Sequence, residues 1–176
     1  MMRGYPGTGK STIARAIARA LHAALIDRDI IRQTAVDIFG NVPEIGRFSY
    51  ELMYALTREQ LSLGLSVVVD SPLTYRQTYE QYNSLSQSMH APLLVVHCRC
   101  PEDVQRRRLE GRKGKVSEFQ ITSWEEWQQW KPRFEAFDDE GCIIDTSHPL
   151  DDSLEKVMHT LHELHIYHTQ QLNSRV

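Results

Sequence analysis

The sequence predicts an α/β fold in which a parallel β-sheet lies between two layers of helices. Short apolar runs rich in β-branched residues alternate along the chain with longer helical stretches, which is typical of βαβ units. A glycine-rich segment stands directly before the first helical stretch, as in folds that bind phosphate at the start of a helix. The 176 residues suffice to bury the core of one domain, and we expect a single domain over residues 1–176.

Each helix is predicted from apolar residues that recur every three or four positions, and each strand from a short β-branched run. Glycine and proline set several ends: Pro101 begins one helix, and Gly40 and Gly64 follow two others. The predicted helices cover residues 12–21, 30–39, 48–62, 73–89, 102–110, 123–134 and 150–170. The predicted strands cover residues 24–26, 65–70, 93–98 and 142–145.

The segment from Gly4 to Ser11 reads G-x-x-x-x-G-K-S, and its fixed positions suit a triphosphate. Its glycines allow the backbone to curl so that successive N–H groups point at the phosphates. Lys10 would reach the β- and γ-phosphates, and the Ser11 hydroxyl would bind Mg²⁺. A chance glycine-rich turn before a helix is the alternative. The candidate nucleotide-binding residues of this segment are Gly4, Tyr5, Pro6, Gly7, Thr8, Gly9, Lys10, Ser11 and Thr12.

Carboxylates end three predicted strands, at Asp27 and Asp29, at Asp70 and at Asp145. Open α/β sheets bind ligands at the carboxyl ends of their strands, so these acids should converge on the phosphate-binding loop. Asp70 follows three valines and would hold Mg²⁺, or else would simply cap the next helix.

Asp29 and Asp27 lie where a phosphoryl acceptor would meet the γ-phosphate. A carboxylate there could orient and deprotonate a hydroxyl group, and Arg32 could hold an anionic group of the acceptor. Alternatively, Asp29 and Arg32 are only an i, i+3 surface pair.

Six basic residues crowd around a glycine-containing loop, which predicts a lid over about residues 106–130. Arg108 and Arg112 are the best pair for nucleotide contact and for stabilising charge on the transferred phosphoryl group. A solvated helix face is the alternative for about half of these side chains. The six are Arg106, Arg107, Arg108, Arg112, Lys113 and Lys115.

The overall charge argues against a nucleic-acid-binding surface spread over the whole chain. Twenty Lys and Arg against 23 Asp and Glu give a net charge of −3, so there is no global positive field. No segment has the length and apolarity of a membrane span, and no secretory signal is recognised. A cytoplasmic location with reduced cysteines at Cys98, Cys100 and Cys142 is therefore expected.

Two further patterns have mainly structural interpretations. Histidines at 159, 162, 165 and 168 drift around the last helix, so they favour an exposed helix tail over zinc, although a neighbouring pair could bind it. Tryptophans at 124, 127 and 130, with phenylalanines at 134 and 137, read as a packing face over the sheet edge and less readily as a substrate-stacking surface.

Several blocks together resemble a known group. The blocks are the loop at 4–11, the run at 26–32, the strand at 67–70, the arginine-rich stretch at 97–112 and the triplet at 145–147. They resemble AAA-type ATPase/predicted kinase proteins, which are related to the zeta-toxin, chloramphenicol phosphotransferase and polynucleotide kinase branch of P-loop kinases. The resemblance implies a three-layer P-loop NTPase fold with a parallel sheet of order 2-3-1-4-5.

The resemblance also implies roles for particular residues. Asp29 is expected to be the catalytic base, with Asp27 in reserve, and Arg32 matches an arginine that binds substrate phosphate. Thr146 and Ser147 match the loop beside the adenine, and the arginine-rich stretch matches the lid. An acceptor-binding helical region would span about residues 32–63, with Tyr50 and Glu51 lining its pocket. A toxin-like kinase would be accompanied by an antitoxin-like partner protein.

Only three residues precede Gly4, whereas a P-loop normally follows a buried strand of about five apolar residues. In the 2-3-1-4-5 order that strand is central, so its near absence would leave backbone groups of both neighbours partly unpaired. This favours a start upstream of Met1.

The sequence predicts an ATP-dependent kinase with Mg²⁺ as cofactor. It would transfer the γ-phosphoryl group of ATP to a hydroxyl of a small molecule or, less favoured, of a nucleic-acid end. The alternatives are an ATPase or nucleotide-binding protein without a phosphoryl acceptor, and an inactive shortened homologue.

Overall fold

The computed structural model describes residues 1–112, 121–134 and 141–173, with side chains described up to residue 166. Its strands are β1 (Met2–Arg3), β2 (Ala24–Asp27), β3 (Val67–Asp70), β4 (Val96–Arg99) and β5 (Cys142–Asp145). Its helices are α1 (Lys10–Leu21), α2 (Arg28–Phe39), α3 (Ile45–Ser62), α4 (Arg76–Ser88), α5 (Glu102–Glu110), α6 (Trp124–Trp130) and α7 (Leu150–Asn173), with a 3₁₀ turn at Lys131–Arg133.

The strands are parallel and form two hydrogen-bonded groups, β2–β3 and β1–β4–β5. β1 contacts both β3 and β4, but it pairs only with β4. Because no ladder joins β1 to β3 among the described residues, the predicted order 2-3-1-4-5 is not confirmed as one continuous sheet.

The first strand is as short as the sequence predicts, and the backbone hydrogen bonds on its two sides differ. Toward β4, the Met1 amino group donates to the Leu94 carbonyl at 2.7 Å, and the Val96 N–H donates to the Met1 carbonyl at 2.8 Å. Toward β3, a bond from the Gly4 N–H to the Pro72 carbonyl is long, at 3.4 Å. Pairing of β1 is therefore well formed on one side only.

Helices cover the sheet on both faces. α1 and α7 bury one face through residues such as Ile13, Ile17 and Val157, which pack on Val68 and Val96. The other face of β2 and β3 is covered by α3 and α4, in a cluster that includes Ile26, Val69, Met53 and Tyr82. This arrangement confirms the predicted α/β class with a parallel sheet.

Several helix boundaries differ from the predictions. α2 begins two residues early because the Asp27 carboxylate accepts the Asp29 N–H at 2.9 Å and caps the helix. α4 begins at Arg76, after Leu73, which has a positive φ of 48°. α3 begins at Ile45, three residues before the predicted start. Among the helices described here, none is long and apolar enough to cross a membrane.

Candidate nucleotide-binding and phosphoryl-transfer site

The loop between β1 and α1 adopts a conformation that requires glycine. Gly4, Gly7 and Gly9 have φ values of 141°, 81° and 81°. A Cβ on Gly7 would lie 3.0 Å from the Leu109 side chain and 3.1 Å from the Gln105 carbonyl, and a Cβ on Gly4 would overlap the Cys98 carbonyl. The backbone curl inferred from the motif therefore depends both on left-handed dihedrals and on close packing.

Lys10 begins α1, and its Nζ donates to the Tyr5 carbonyl at 3.0 Å. Burial lowers the pKa of Lys10, and the negative charges of Asp70 and Asp29 oppose that lowering. The ammonium group thus lies near two of the predicted site carboxylates. An added anion would favour its charged form, since it would offset the cost of removing the ammonium from water.

Helix α5 holds the loop from the lid side. The Gln105 side-chain amide donates to the Pro6 carbonyl at 2.7 Å, and Leu109 packs where Gly7 leaves space. The Tyr5 ring lies 4.7 Å from the Trp127 ring and 5.4 Å from the Phe134 ring. The loop is therefore packed directly against α5, α6 and the turn that follows α6.

A cavity of about 460 Å³ opens between the loop, α5 and the segment after β5. It brings together residues that the sequence predicted separately from the motif, the lid and the adenine-side loop. Its lining residues are Gly7, Gly9, Thr12, Ile13, Arg108, Arg112, Thr146, His148, Leu150 and Ser153. A concave site with a few convergent polar groups is what a nucleotide requires.

Thr146 connects the three walls of this cavity. Its hydroxyl proton is shared between two acceptors, the Thr8 carbonyl at 2.8 Å and the Arg99 carbonyl at 3.2 Å. The hydroxyl oxygen accepts a hydrogen bond from Arg108 Nη1 at 2.9 Å. Arg108 Nη2 also donates to the Thr146 carbonyl at 2.7 Å. Arg108 therefore ties the loop after β5 to helix α5, and the Thr146 hydroxyl ties the same loop to the P-loop, a positioning contact that the motif analysis did not predict.

The remaining predicted nucleotide contacts lie close by. Arg112 donates from Nη1 to the Ile121 carbonyl at 2.7 Å, and its charge interacts with Asp29. Ser11 is half-buried on the first turn of α1. Ser147, in contrast, donates its N–H and hydroxyl to Asp145 at 2.8 and 2.7 Å and does not line the cavity.

Two buried carboxylates lie side by side at the ends of neighbouring strands. Asp27 and Asp70 are partners in the register of β2 and β3 and are 9% and 5% exposed. Burial raises the pKa of Asp27, and the charge of Asp70 raises it further. Asp27 also caps α2 and lies 3.6 Å from Arg15. Their repulsion would be relieved by a cation between them.

An arginine that sequence analysis missed lies beside the predicted acceptor region. The Arg28 guanidinium lies 4.0 Å from the centroid of the Tyr50 ring. Burial lowers the pKa of Arg32, and the nearby Arg28 charge lowers it further. Burial likewise raises the pKa of Tyr50. Glu51, however, is exposed and pairs with Arg47 at 3.7 Å, so the structure does not bring it to the site.

Some of the other basic side chains lie on a solvated helix face, and some of the aromatic side chains pack in the interior, as the structural alternatives proposed. Arg106 and Arg107 form exposed i, i+4 pairs with Glu110 and Asp103, at 2.8 and 3.2 Å. Trp127 is buried with Leu109 and Ile121, and the Trp127 and Phe134 rings contact Tyr5 of the P-loop, a contact that the predicted packing over the sheet edge did not include. Lys113, Lys115, Phe137 and the His168 side chain lie outside the described residues.

The cysteines and histidines show no metal site among the described residues. No group of three potential ligands from His, Cys, Asp and Glu occurs there. Cys98, Cys100 and Cys142 are free thiols, and burial raises the pKa of Cys98 to about 12. His159 instead lies 3.5 Å from Glu163 on an exposed part of α7.

Comparisons with known proteins agree with this architecture. A family model described as an AAA domain matches residues 1–137. The uncharacterized protein Rv2004c of Mycobacterium tuberculosis is 28% identical over 175 residues, which cover 90% of this chain and 34% of that protein. The chain thus spans about a third of the length of the curated relatives it matches.

Two solved structures resemble the fold closely. A gluconokinase from Sinorhizobium meliloti has a TM-score of 0.66 at 20% identity, covering 96% of this chain and 94% of that one. The Mycobacterium tuberculosis APS kinase CysC, in complex with AMPPNP and APS, has a TM-score of 0.66 at 16% identity, covering 92% and 95%.

These similarities confirm the predicted P-loop NTPase fold and the resemblance to P-loop kinases. They support a nucleotide-binding, kinase-like architecture. The family match extends over the P-loop, the strand-end acids Asp27, Asp29 and Asp70, and helix α5, and it stops before Asp145. The chain therefore belongs to the AAA domain family whose model it matches.

Proposed function

We propose that this protein is an ATP-dependent kinase that transfers the γ-phosphoryl group of ATP to a hydroxyl group of a small molecule. The observation that carries the proposal is the electrostatic grouping of Lys10, Asp70, Asp29 and Arg112 on the loop side of the sheet. A phosphate site needs only the lysine and the loop amides. Asp29, whose charge acts on both that lysine and Arg112, supplies the further group that an acceptor requires.

The cavity that unites the P-loop with Arg108 and Thr146 would hold the nucleotide. Ser11 and Asp70 would hold Mg²⁺, which would neutralise charge on the phosphates. The paired carboxylates Asp27 and Asp70 fit a cation. Mg²⁺ usually takes one or two carboxylates plus phosphates and water, so the absence of a three-ligand cluster among the described residues agrees with this assignment.

In the transfer step, the Asp29 carboxylate accepts the proton of the acceptor hydroxyl. The acceptor oxygen then bonds to the γ-phosphorus, while the bond from that phosphorus to the β–γ bridging oxygen breaks and ADP leaves. Lys10 and Arg112 offset negative charge on the phosphoryl group as it moves. Arg28 and Arg32 flank the acceptor side beside Tyr50 and would favour an acceptor that carries an anionic group.

The test is the Asp29→Asn variant, measured as ADP release with a panel of hydroxyl-bearing metabolites. We expect turnover with an accepted substrate to fall by about 10²-fold or more, which is the typical contribution of a general base, while ATP affinity stays within about twofold. The matched control is Asp37→Asn, because Asp37 lies exposed on the same helix, where it accepts a hydrogen bond from Gln33 at 2.8 Å.

Lys10→Ala should weaken both ATP binding and turnover, since its ammonium lies within the loop. ATP hydrolysis that responds to no acceptor and is unchanged in Asp29→Asn would contradict the kinase and favour an ATPase. The absence of any nucleotide binding would contradict both activities.

A further inference from the structure

A second cavity, of about 850 Å³, is lined by Gly4, Tyr5 and Thr8 of the loop, none of which lines the nucleotide cavity. Arg3, His97 and Ile143 are register partners across β1, β4 and β5, and all three line it. The alternate residues Met2 and Val96 point to the core beneath α1 and α7. Because side chains alternate across a strand, the cavity lies on the face that those two helices leave uncovered.

The described lining of this cavity is strongly basic. Four cationic side chains, from Arg3, Arg76, Arg99 and Lys131, line it, and Glu102 is the acid among the described lining residues. His97 also lines the cavity, where its Nδ1 lies 3.4 Å from the Arg99 guanidinium. The whole chain has a net charge of −3, so this concentration of positive charge does not simply follow the composition. It favours an anionic occupant.

One wall of the same cavity is aromatic. Tyr5, Trp127 and Phe134 form mutual ring contacts with centroids 4.7 to 5.4 Å apart, and all three line the cavity. Tyr5 is still 42% exposed despite contacting both other rings. An exposed ring edge beside a cationic wall suits a ligand that combines an aromatic ring with a negative charge.

We propose that this cavity binds a small phosphate monoester that carries an aromatic ring, at a site separate from the nucleotide site. The phosphate lies among the cationic side chains of Arg3, Arg99 and Lys131, and the ring packs against Tyr5 and Phe134. The two sites adjoin through Tyr5, whose carbonyl accepts the Lys10 Nζ hydrogen bond. The proposal does not depend on the transfer chemistry, because none of these cationic residues takes part in it.

The test is calorimetric titration of the full chain with phenyl phosphate. Because the P-loop also binds phosphate, one series is run with the loop saturated by AMPPNP and Mg²⁺, and a second is run without nucleotide. Inorganic phosphate and phenol are titrated separately as the anion and the ring alone. With AMPPNP in the P-loop, we expect one phenyl phosphate to bind per chain, at least tenfold more tightly than either fragment. In the nucleotide-free series the same site should bind with unchanged affinity, beside any phosphate binding by the P-loop.

Charge reversal then locates the site. Arg99→Glu and Lys131→Glu, both at exposed positions, should each weaken phenyl phosphate binding by tenfold or more. Arg58→Glu is the matched control, since it makes the same charge change at an exposed position on α3, and it should change the affinity by less than twofold. Phe134→Ala should abolish the preference for phenyl phosphate over inorganic phosphate.

Three results would overturn the proposal: no binding of phenyl phosphate, equal binding by Arg99→Glu, Lys131→Glu and Arg58→Glu, or binding that disappears when AMPPNP fills the P-loop. Circular dichroism of each variant verifies that the fold is retained. If the chain failed to bind AMPPNP, the kinase proposal would fail, while the nucleotide-free series would still decide this one.

Discussion

Replacing Thr146 by valine tests whether the nucleotide cavity is held together by one hydroxyl group. Valine has nearly the same shape, so the change removes the hydrogen bonds of the hydroxyl without opening a cavity. The hydroxyl is shared between the Thr8 and Arg99 carbonyls, at 2.8 and 3.2 Å, and it accepts the Arg108 bond at 2.9 Å. Thr146 is 7% exposed, so the Thr8 carbonyl, which would lose this donor, is largely shielded from water.

The expected loss in the free energy of unfolding depends on which hydrogen-bond partners of the hydroxyl can bond to water instead. The Thr8 carbonyl would lose a buried donor, and a buried unsatisfied group costs about 1–3 kcal/mol. Arg108 is exposed and keeps its 2.7 Å bond to the Thr146 carbonyl, so it should add little. We therefore expect the free energy of unfolding to fall by about 1–3 kcal/mol. The P-loop should also be less well positioned for ATP.

The assay is urea denaturation with and without Mg·ATP at one fixed concentration. Ligand binding adds RT ln(1 + [ATP]/Kd) to stability, so each tenfold loss of affinity removes about 1.4 kcal/mol of the ATP-dependent gain. The matched control is Thr160→Val. The Thr160 hydroxyl donates to the Lys156 carbonyl at 2.9 Å within α7, and its loss should cost less than about 0.5 kcal/mol and leave the ATP gain intact. Equal stability losses and equal ATP gains in the two variants would refute the reasoning.

Two further changes test the loop and the paired carboxylates. Gly7→Ala should destabilise the chain by about 1–3 kcal/mol and weaken ATP binding, because φ is 81° and the new Cβ would lie 3.0 Å from Leu109. Gly46→Ala, in α3 with nothing within 4 Å, should instead stabilise it by about 0.5–1 kcal/mol. In thermal denaturation, a Gly7→Ala chain that melts no lower than the parent, or a Gly46→Ala chain that melts below it, would contradict this pair of expectations. Burial and the charge of Asp70 raise the pKa of Asp27 in the folded state, so the folded chain binds that proton more readily than the unfolded chain. Relative to Asp27→Asn, the parent protein should therefore lose stability as pH rises from about 4 through the raised pKa, and the difference should then level off; urea denaturation in steps from pH 4 to 8 measures it, and a pH-independent difference would exclude the effect.

The elements that the sequence predicted best are those with local boundary signals. α5 runs over Glu102–Glu110 as predicted, since Pro101 precedes it and Gly111 follows it. Strand ends depend instead on partners distant in sequence. β4 begins at Val96 and not at residue 93, because its partners begin only at Met2 and Cys142. Periodicity within one segment cannot reveal where a neighbouring strand starts.

In the candidate site, too, the residues with a local sequence signal were predicted and those that depend on distant partners were missed. Gly7, Gly9 and Lys10 were predicted because the motif fixes their spacing, and the structure gives them the expected curl and position. The residues that were missed act across large sequence separations: Gln105 binds the Pro6 carbonyl 99 residues earlier in the chain. A glutamine in a helix of charged residues gives no local signal of such a contact.

The same limit explains why Tyr5 was predicted only as a member of the motif. Its backbone position in the P-loop follows from spacing, but its ring lies against Trp127 and Phe134, which follow α5 in the chain. The predicted lid region is therefore packed on the P-loop through an aromatic cluster. Since that cluster also forms a wall of the basic cavity, changes in the lid should affect both cavities through the side chain and the carbonyl of this one tyrosine.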